Sequence, residues 1–495
     1  LRKAFEEVTQ NPIYDRVTNP AATKYVHSII SGAFNIKNFV GIPVSTRLGA
    51  LDIIYKTFQP NFLINCKKED SHLISRYQLL LQKSKSQSFV IIEMPCAAII
   101  LTNKKNQIPL VAAAKDFGYH LTSGNATDIV NGIAPPTQYL IKQAEQKLSA
   151  TLPDKIPYML TTSGISAISL AFEYDAKQSG TTWIQRPLYA CTDDQFRHRS
   201  SQSTQTFKQY DFFQPIETIN QDLNQAHKSN QLPSTIYIES SPNPLANGPI
   251  NVIDLIKAIE PYKINIIIDH TFLGGIAEHS FMVKLTNNQQ SLTRIIHSAT
   301  KQITGGQSSS TLGAISIKPT DDIAALEKIR AEKFGLPAKT DIDILIKALD
   351  TLPKRITSIV TNNSHFYKNV KKLTKGDLPL LKDTHYSGGS VLSFEFNDDI
   401  FTPIMVEDIF NQLAKSSHYF NYAVSLGSDK TIGMVPGLAT HTLLPDDIQK
   451  ASNITPHLVR LSIGSSESTT STQLIFEELK YAIGVTLSTF NLIKK

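Results

Sequence analysis

The residues with the clearest chemical potential surround Lys301, in the run IIHSATKQITGGQSSSTLGA that covers residues 295–314. Small hydroxyl residues precede this lysine, and a Gly-Gly pair with further hydroxyl residues follows it. Most lysines are exposed, so a solvated lysine on a polar turn is the ordinary interpretation. A partly desolvated lysine is instead a nucleophile that can form a Schiff base with a carbonyl group, while nearby hydroxyls hold an anion. The rest of the chain has to decide between the two.

An acid stands at the end of an apolar run upstream of the lysine. Residues 264–268 are β-branched apart from Asn265, which is typical of a strand buried on both faces. The run stops at Asp269. An acid at the carboxyl end of a buried strand lies where open α/β sheets bind ligands, although a helix-cap or turn aspartate is an equal alternative.

Four blocks in the chain resemble a single enzyme family. They are IYIESSPNPLANGPINVIDLIKAI, IIIDHTFLGGI, IIHSATKQITGG and SLGSDKTIGMVPGLATHTLLPDDIQKASNITPHLVRLSIGSSES. In this order they resemble the transsulfuration enzymes of cysteine and methionine metabolism, such as cystathionine γ-synthase, the cystathionine lyases and methionine γ-lyase. The resemblance covers roughly residue 161 to the C-terminus. It implies pyridoxal 5'-phosphate as cofactor and the α/β fold called fold type I, similar to aspartate aminotransferase, with a mostly parallel seven-stranded sheet.

The resemblance also implies the cofactor-binding residues. Lys301 would carry the cofactor and later move protons at the substrate's Cα and Cβ, and Asp269 would pair with the pyridine nitrogen. Tyr189 would stack on the ring, and we expect it to be catalytic together with Lys301; a buried structural tyrosine is the alternative. The groups expected on the phosphate come from a helix start and from the lysine segment: Ser163, Gly164, Ile165, Ser298 and Thr300. A plain helix N-cap is the alternative for the helix start.

The substrate-binding residues follow from the later blocks. Asn243 would lie near the ring hydroxyl and the substrate carboxylate, which Arg460 would bind through its planar fork. Ser425 should lie nearby. Lys430 stands where many members of the family have Glu, so it would favour an anionic distal group on the substrate. His270 replaces the usual Asn, and we expect it to be a core histidine.

Two further residues are expected to reach a neighbouring subunit's site. Tyr14 and Arg16 begin a Tyr-x-Arg-x-x-Asn-Pro motif, but the family places this motif just before the large domain, where this chain reads DIVNGIAPPT. Three explanations for this displaced motif remain open: an insertion of roughly 120 residues, a divergent partial repeat, or coincidence.

The length of 495 residues predicts more than one domain. We expect an N-terminal extension over residues 1–115, a cofactor-binding large domain over 116–375, and a small C-terminal α+β domain over 376–495. Alternating strands and helices favour a mostly parallel sheet in the large domain. The extension shows helix-like stretches at 21–30, 48–57 and 71–83 and one strand-like run at 89–92. The helical stretch 321–363 should be interrupted at 335–337 and at Pro353.

The composition limits the kinds of partner that the protein is expected to bind. The net charge of +6 comes from scattered Lys and Arg residues, which argues against nucleic-acid binding, and the most apolar segment, 89–101, is too short to span a membrane. Three cysteines without a disulfide or zinc spacing favour a reducing, cytoplasmic compartment and no metal. Small amino-acid substrates and a homo-oligomer, dimer or tetramer, are expected from the resemblance.

The predicted reaction is γ-replacement on an O-acylhomoserine with cysteine, as in cystathionine γ-synthase. The alternative within the family is elimination by a cystathionine or methionine lyase. The alternative from another class is a non-catalytic paralogue with a binding or regulatory role, which the missing Tyr-x-Arg at its usual place would support.

Overall fold

The N-terminal region contains a four-stranded sheet. The computed structural model describes residues 39–45, 63–68, 88–94 and 97–103, the single positions 50, 110, 122, 125 and 128, and residues 133–490 without 176–179, 203–205, 246–248, 307–309, 376–378, 424, 440 and 442–445. The strands are β1 (Phe39–Val44), β2 (Leu63–Lys68), β3 (Ser88–Met94) and β4 (Ala97–Asn103), in the order β1-β4-β3-β2.

The predicted strand at 89–92 is confirmed inside β3, but the other three strands were not predicted. The apolar run 89–101 contains most of β3 and β4, which pair antiparallel with Met94 opposite Ala97. The helices predicted at 21–30 and 71–83, and nearly all of 48–57, lie outside the described residues.

A seven-stranded sheet forms the centre of the described structure. Its strands are β5 (Tyr158–Thr161), β6 (Thr181–Ile184), β7 (Thr206–Gln209), β8 (Thr235–Glu239), β9 (Asn265–Asp269), β10 (Thr293–Ser298) and β11 (Gly313–Ser316). The order is β5-β11-β10-β9-β8-β6-β7, and only β11 runs antiparallel to its neighbours. The predicted mostly parallel sheet of seven strands is confirmed.

Helices on the sheet bury its apolar side chains. They are α1 (Gln138–Thr151), α2 (Gly164–Asp175), α3 (Ala190–Gln202), α4 (Ile216–Lys228), α5 (Val252–Ile259) and α6 (Asn287–Leu292). The central strands read as continuous apolar runs because both faces are covered, and Ile266, Ile267 and Ile268 of β9 have no exposed surface. The parallel strands therefore end at one buried edge of the sheet, where Glu239 and Asp269 are the last residues of β8 and β9.

A long helix connects this sheet to the C-terminal part. After α7 (Ile323–Ile329) and one wide helical turn, the chain breaks at Gly335, as predicted, and α8 then runs from Lys339 to Val370. The predicted interruption at Pro353 is wrong, because Pro353 lies inside α8. Proline removes one N–H donor, and the helix persists because an apolar face that includes Leu349 and Ile356 packs into the core.

The C-terminal part combines a third, five-stranded sheet with three helices. The strands β12 (Leu381–Tyr386), β13 (Leu392–Phe396), β14 (Phe420–Tyr422), β15 (Thr431–Met434) and β16 (Leu458–Ser462) lie in the order β12-β13-β16-β15-β14. The helices are α9 (Pro403–Ser416), α10 (Asp446–Ala451) and α11 (Thr469–Thr489). These elements form the C-terminal α+β domain, including the alternating strand near residue 392, while the domain limits 115/116 and 375/376 remain predictions.

In the part of the chain that the structure describes, no helix has the length and apolar character needed to cross a bilayer. Within the same part of the chain, no group of three or more His, Cys, Asp or Glu side chains is placed to hold a metal ion.

Candidate active site

Lys301 lies in a turn that its own backbone and one helix hold in place. The turn follows β10 and closes through hydrogen bonds from Thr304 N to Ala299 O (3.0 Å) and from Gly306 N to Lys301 O (2.7 Å). Arg355 of α8 adds two more, from Nη1 to Gln302 O (2.6 Å) and from Nη2 to Ile303 O (3.0 Å). The carbonyls that follow the lysine are therefore fixed by a helix more than fifty residues later in the chain.

The amine of Lys301 is partly withdrawn from water. Its Nζ lies 3.4 Å from Ser425 Oγ, and no carboxylate of the described residues lies within ion-pair distance of it. Burial, reinforced by the nearby Arg460 guanidinium, lowers the pKa of Lys301 to about 8. The solvated surface lysine is thus excluded, and a substantial fraction of this amine is neutral near physiological pH.

Asp269 ends β9 beside the strand that leads to the lysine. It pairs in register with Ile296 of β10, and its Oδ1 accepts a hydrogen bond from Thr271 N (2.9 Å). Thr271 in turn accepts the Ser298 N–H through Oγ1 at 2.8 Å. Burial raises the pKa of Asp269, with the hydrogen bonds from Thr271 acting against that rise. A cationic partner placed here would return this carboxyl group to its ionised form.

The start of α2 lies against the lysine segment. The first intrahelical bond of α2 runs from Ala167 N to Ser163 O, and Ser163 Oγ accepts the Ser166 N–H (3.1 Å). The Ser163 hydroxyl is thus a helix cap, and the N–H groups of Gly164 and Ile165 precede the helical hydrogen-bond ladder. A Cβ on Gly164 would come within 2.8 Å of Ser298 Cβ, so Ser298 touches this helix start.

Thr300, the other hydroxyl beside the lysine, is occupied by the backbone. Its Oγ1 lies 3.2 Å from Leu312 O and accepts the Leu312 N–H at 3.0 Å. The hydroxyl therefore joins the lysine turn to the residue just before β11. Its predicted contact with a phosphate remains a prediction.

Tyr189 follows β6 in a loop that Glu239 holds. The Tyr189 N–H donates to Glu239 Oε1 at 2.7 Å, and α3 begins immediately after this tyrosine. Cys191, in the first turn of α3, is buried and electrostatically coupled to Lys301. The Tyr189 segment and the lysine turn therefore border the same space.

Arg460 joins the two sheets. It lies in β16, and its Nη1 donates to Asn243 Oδ1 (2.8 Å) while its Nη2 donates to Ser425 O (3.1 Å). The guanidinium is buried against the Phe272 ring, 5.8 Å from its centroid, and burial lowers the pKa of Arg460 to about 10. The structure thus brings Arg460, Asn243, Ser425 and Lys301 together as one connected group.

The remaining predicted residues have different outcomes. Tyr14 and Arg16 lie outside the described residues, so their role remains a prediction. His270 is the expected core histidine, since it is buried and its Nδ1 lies 2.8 Å from Ser240 Oγ. Lys430 is exposed, and it interacts electrostatically with Glu467. The anionic distal group inferred from Lys430 remains a prediction.

Sequence reasoning missed three residues that hold the site together: Glu239, Arg355 and His441. A signal existed for Glu239, because an acid that ends a buried strand has to find hydrogen-bond donors. Arg355 and His441 gave no such sequence signal, since each contacts backbone groups more than fifty residues away in the chain.

A family model described as Cys/Met metabolism PLP-dependent enzyme matches residues 136–472. The chain is 27% identical over 256 residues to cystathionine beta-lyase MetC of Staphylococcus haemolyticus, covering 50% of this chain and 60% of that protein. It is 24% identical over 229 residues to cystathionine gamma-synthase of Haemophilus influenzae, covering 46% and 56%. The chain therefore spans little more than half the length of these relatives.

The fold is similar to that of solved structures. Cystathionine gamma synthase from Xanthomonas oryzae pv. oryzae superposes with a TM-score of 0.58 at 19% identity, covering 71% of this chain and 87% of that one. At this identity the similarity establishes the fold alone. The predicted fold type I architecture is confirmed.

Proposed function

Because this chain belongs to the Cys/Met metabolism PLP-dependent enzyme family, we propose that it is a pyridoxal-phosphate-dependent transsulfuration enzyme whose cofactor is carried by Lys301. The observation that supports this proposal most directly is the lowered pKa of Lys301, about 8, in a group of side chains that also contains Arg460 and Ser425. A neutral amine in this setting is the nucleophile that the cofactor aldehyde requires.

The described residues fit the cofactor. The Lys301 amine has no acidic partner among them. The pKa of the buried Asp269 is raised, and a protonated pyridine nitrogen beside it would reverse that rise. The first N–H groups of α2 can donate hydrogen bonds to an anion. Gly164, Ile165 and Ser298 would hold the phosphate, and Tyr189 would lie on the ring. The bound cofactor supplies an electron-withdrawing ring that weakens the bonds at the substrate's Cα.

Arg460 is the residue best placed to hold the substrate carboxylate. Its Nη1 and Nη2 donate to Asn243 Oδ1 and Ser425 O, two uncharged acceptors, and a planar guanidinium can bind a carboxylate through two parallel hydrogen bonds. Lys301 would then move a proton at the Cα, since its amine lies 3.4 Å from the Ser425 hydroxyl and about 8 is a suitable pKa for proton transfer near neutral pH.

For the reaction itself we propose γ-replacement on an O-acylhomoserine with cysteine. The similarity to a cystathionine gamma-synthase supports it, and the similarity to a cystathionine beta-lyase supports elimination from cystathionine as the alternative. Lys430 would favour a substrate with an anionic distal group, such as an O-succinylhomoserine. We also propose a cytoplasmic location and a homo-oligomeric state.

The cofactor is tested by the visible spectrum of the purified protein with added pyridoxal phosphate, before and after borohydride. We expect a visible band that borohydride fixes on Lys301, that Lys301→Ala lacks, and that a control variant, Lys147→Ala, retains; Lys147 pairs with Asp350 at the surface. A wild-type protein that stays colourless would instead favour the non-catalytic paralogue.

The reaction is tested by supplying two substrates separately. An O-acylhomoserine with cysteine should give cystathionine, with the acyl group released as its acid. If cystathionine alone is consumed, and the O-acylhomoserine with cysteine is not, the γ-replacement proposal fails and elimination takes its place.

A further inference from the structure

Two buried side chains of opposite hydrogen-bonding character, Glu239 and His441, contact the same two loops. The Tyr189 loop comprises residues 186–190 and follows β6, whereas the Asn243 loop comprises residues 240–245 and follows β8. Glu239 ends β8 in the large sheet, and His441 comes from the C-terminal part, between β15 and β16. The two contacts therefore originate in different parts of the fold.

Glu239 supplies the acceptors. Its Oε1 accepts the Tyr189 N–H at 2.7 Å and its Oε2 accepts the Asn243 N–H at 2.8 Å. Burial and the nearby Asp269 raise the pKa of Glu239, while these two amide hydrogen bonds act against that rise. Each carboxylate oxygen thus serves one loop, and a group with a single acceptor atom cannot replace it.

His441 supplies the donor. Its Nε2 lies 3.2 Å from Leu188 O and 3.1 Å from Asn243 O. Carbonyl oxygens only accept hydrogen bonds, so Nε2 carries the proton and shares it between the two loops. Burial lowers the pKa of His441 to about 4, and the imidazole is therefore neutral at physiological pH.

Together the two side chains hold the backbone of both loops. The peptide group between Leu188 and Tyr189 donates its N–H to Glu239, and its C=O accepts from His441. Rotation of this peptide would therefore break two hydrogen bonds at once. At Asn243 the N–H donates to Glu239 and the C=O accepts from His441, so the pair holds the two peptide groups on either side of this residue.

The arrangement continues to the substrate-binding group. The side-chain Oδ1 of Asn243 accepts the Arg460 Nη1 at 2.8 Å. Its backbone is fixed by Glu239 and His441, so the position of the Asn243 amide, and with it the guanidinium of Arg460, depends on both. The same pair thus controls a ring-stacking residue and a carboxylate-binding residue.

We propose that Glu239 and His441 are paired positioning residues that fix Tyr189 and Asn243 relative to each other, so that placement of the C-terminal part sets the geometry of the cofactor and carboxylate sites. His441 acts as an uncharged donor rather than as an acid or base. The effect on the cofactor and carboxylate sites rests on the proposed function. The four contacts of Glu239 and His441 with the two loops, called the clamp below, are a property of the protein without cofactor.

The test is native-state hydrogen exchange of the full chain without cofactor, followed in the segments that contain the Tyr189 and Asn243 amides. Glu239→Gln places an NH₂ group against one of the two N–H donors, and His441→Leu removes the shared donor. We expect each to raise exchange in both segments about tenfold or more, which is the scale of one lost hydrogen bond to a charged or buried group. His441→Gln keeps a donor close to the same position and should stay within about threefold of the wild type.

Two further variants sharpen the result. His457→Leu is the matched control, because its Nε2 lies 2.8 Å from another backbone carbonyl, that of Phe401, outside the two loops. It should leave both segments unchanged. The double variant Glu239→Gln/His441→Leu should exchange no faster than the faster single variant, because the two side chains act as one unit.

The second readout is the visible circular dichroism of the protein loaded with pyridoxal phosphate, which reports the orientation of the ring. It should change in Glu239→Gln and His441→Leu and match the wild type in His441→Gln. A wild-type protein that binds no cofactor would refute the proposed function while leaving the exchange result intact.

The clamp is refuted if Glu239→Gln and His441→Leu leave the two segments as protected as in the wild type. It is also refuted if His441→Gln loses local protection while the β9 segment keeps its own. If His441→Leu also loses hydrogen-exchange protection in β9, the other two variants decide the result. The clamp is supported if Glu239→Gln loses protection in the two loop segments while His441→Gln behaves like the wild type. Any other combination overturns it.

Discussion

The Nη1 of Arg460 lies 2.8 Å from Asn243 Oδ1, so a residue of the C-terminal sheet is paired with an uncharged amide that follows a strand of the large sheet. A carboxylate at position 243 would occupy the same place but would neutralise the guanidinium. The uncharged partner orients the arginine without competing with an anionic substrate.

Asn243→Asp should therefore weaken substrate binding more than Asn243→Ala does. We expect the aspartate to raise KM for the amino-acid substrate about tenfold above that of the alanine variant, because the new ion pair has to be broken or shared before the substrate carboxylate can bind. Steady-state kinetics of the three proteins measure this. Equal KM values for the two variants would show that Arg460 does not bind the carboxylate.

The pKa of Lys301 predicts how cofactor capture depends on pH. Only the neutral amine attacks an aldehyde, so the rate at which cofactor-free protein takes up pyridoxal phosphate should rise with pH, reach half its maximum near pH 8 and level off above pH 9. The growth of the visible band at a series of pH values measures it. A rate that keeps rising toward pH 10 would mean that the amine is not desolvated.

Arg460→Met tests the second cause of that shift. Removal of the cation should move the midpoint of cofactor capture to higher pH, although burial alone still keeps the pKa of Lys301 below its usual 10.5. Arg460→Lys retains the charge and serves as the control. The electrostatic coupling between the two residues is disproved if both variants share the wild-type midpoint.

Asp341 predicts a pH-dependent stability outside the site. Its Oδ1 accepts the Thr311 N–H at 3.2 Å, its Oδ2 has no hydrogen-bond partner among the described residues, and burial raises its pKa to about 7. In the unfolded chain this acid ionises near pH 4. Its contribution to stability is therefore complete below about pH 4 and is lost as the pH rises to about 7, by up to about 4 kcal/mol.

Asp341→Asn imitates the protonated acid and should remove this dependence. The variant should be more stable than the wild type at pH 8 and close to it at pH 4.5, as measured by denaturant unfolding at both values. A constant difference between the two proteins across this range would show that Asp341 is already ionised in the folded state at low pH.

Two glycines allow the lysine turn to touch the Ser425 loop. Gly306 has a φ of +63° and would place a Cβ 2.3 Å from Leu426 O, and Gly427 has a φ of +74° and would place a Cβ 2.5 Å from Gln302 N. Gly306→Ala should lower the free energy of unfolding by at least about 2 kcal/mol through backbone strain and collision, and should separate Ser425 from Lys301.

Gly484→Ala is the matched control in this experiment. Gly484 lies inside α11 with no neighbouring atom within 4 Å of an added Cβ, so alanine there should raise stability by about 0.5–1 kcal/mol. Thermal or denaturant unfolding compares the two variants. If Gly306→Ala proves as harmless as Gly484→Ala, the close backbone approach between the two loops does not exist in solution.

The sequence predicted local structure well where one pattern dominated. The strand predicted over residues 264–268 is β9, shifted by one residue, because a mostly β-branched run leaves few alternatives. Pro353 misled because the apolar face of α8 outweighs one lost hydrogen bond. Tertiary packing decided this case.

Sequence motifs pointed to residues that the structure brings together, whereas remote contacts left no signal. Lys301, Asn243 and Arg460 belong to one connected group and stand in blocks that resemble a known family, while their roles remain predictions. His441 and Leu188 are 253 residues apart along the chain, so their contact leaves no sequence pattern.

The position of β11 between β5 and β10 sets an order for the assembly of the site during synthesis. Among the described strands β5 pairs with β11 alone, so β5 joins the large sheet only after residue 316 has left the ribosome. Arg460 and His441 are made later still, roughly 7 to 30 s afterwards for Arg460 at ordinary elongation rates. A nascent chain can thus complete the large sheet, with its predicted cofactor groups, before the residues proposed to bind substrate and to hold the two loops have been synthesised.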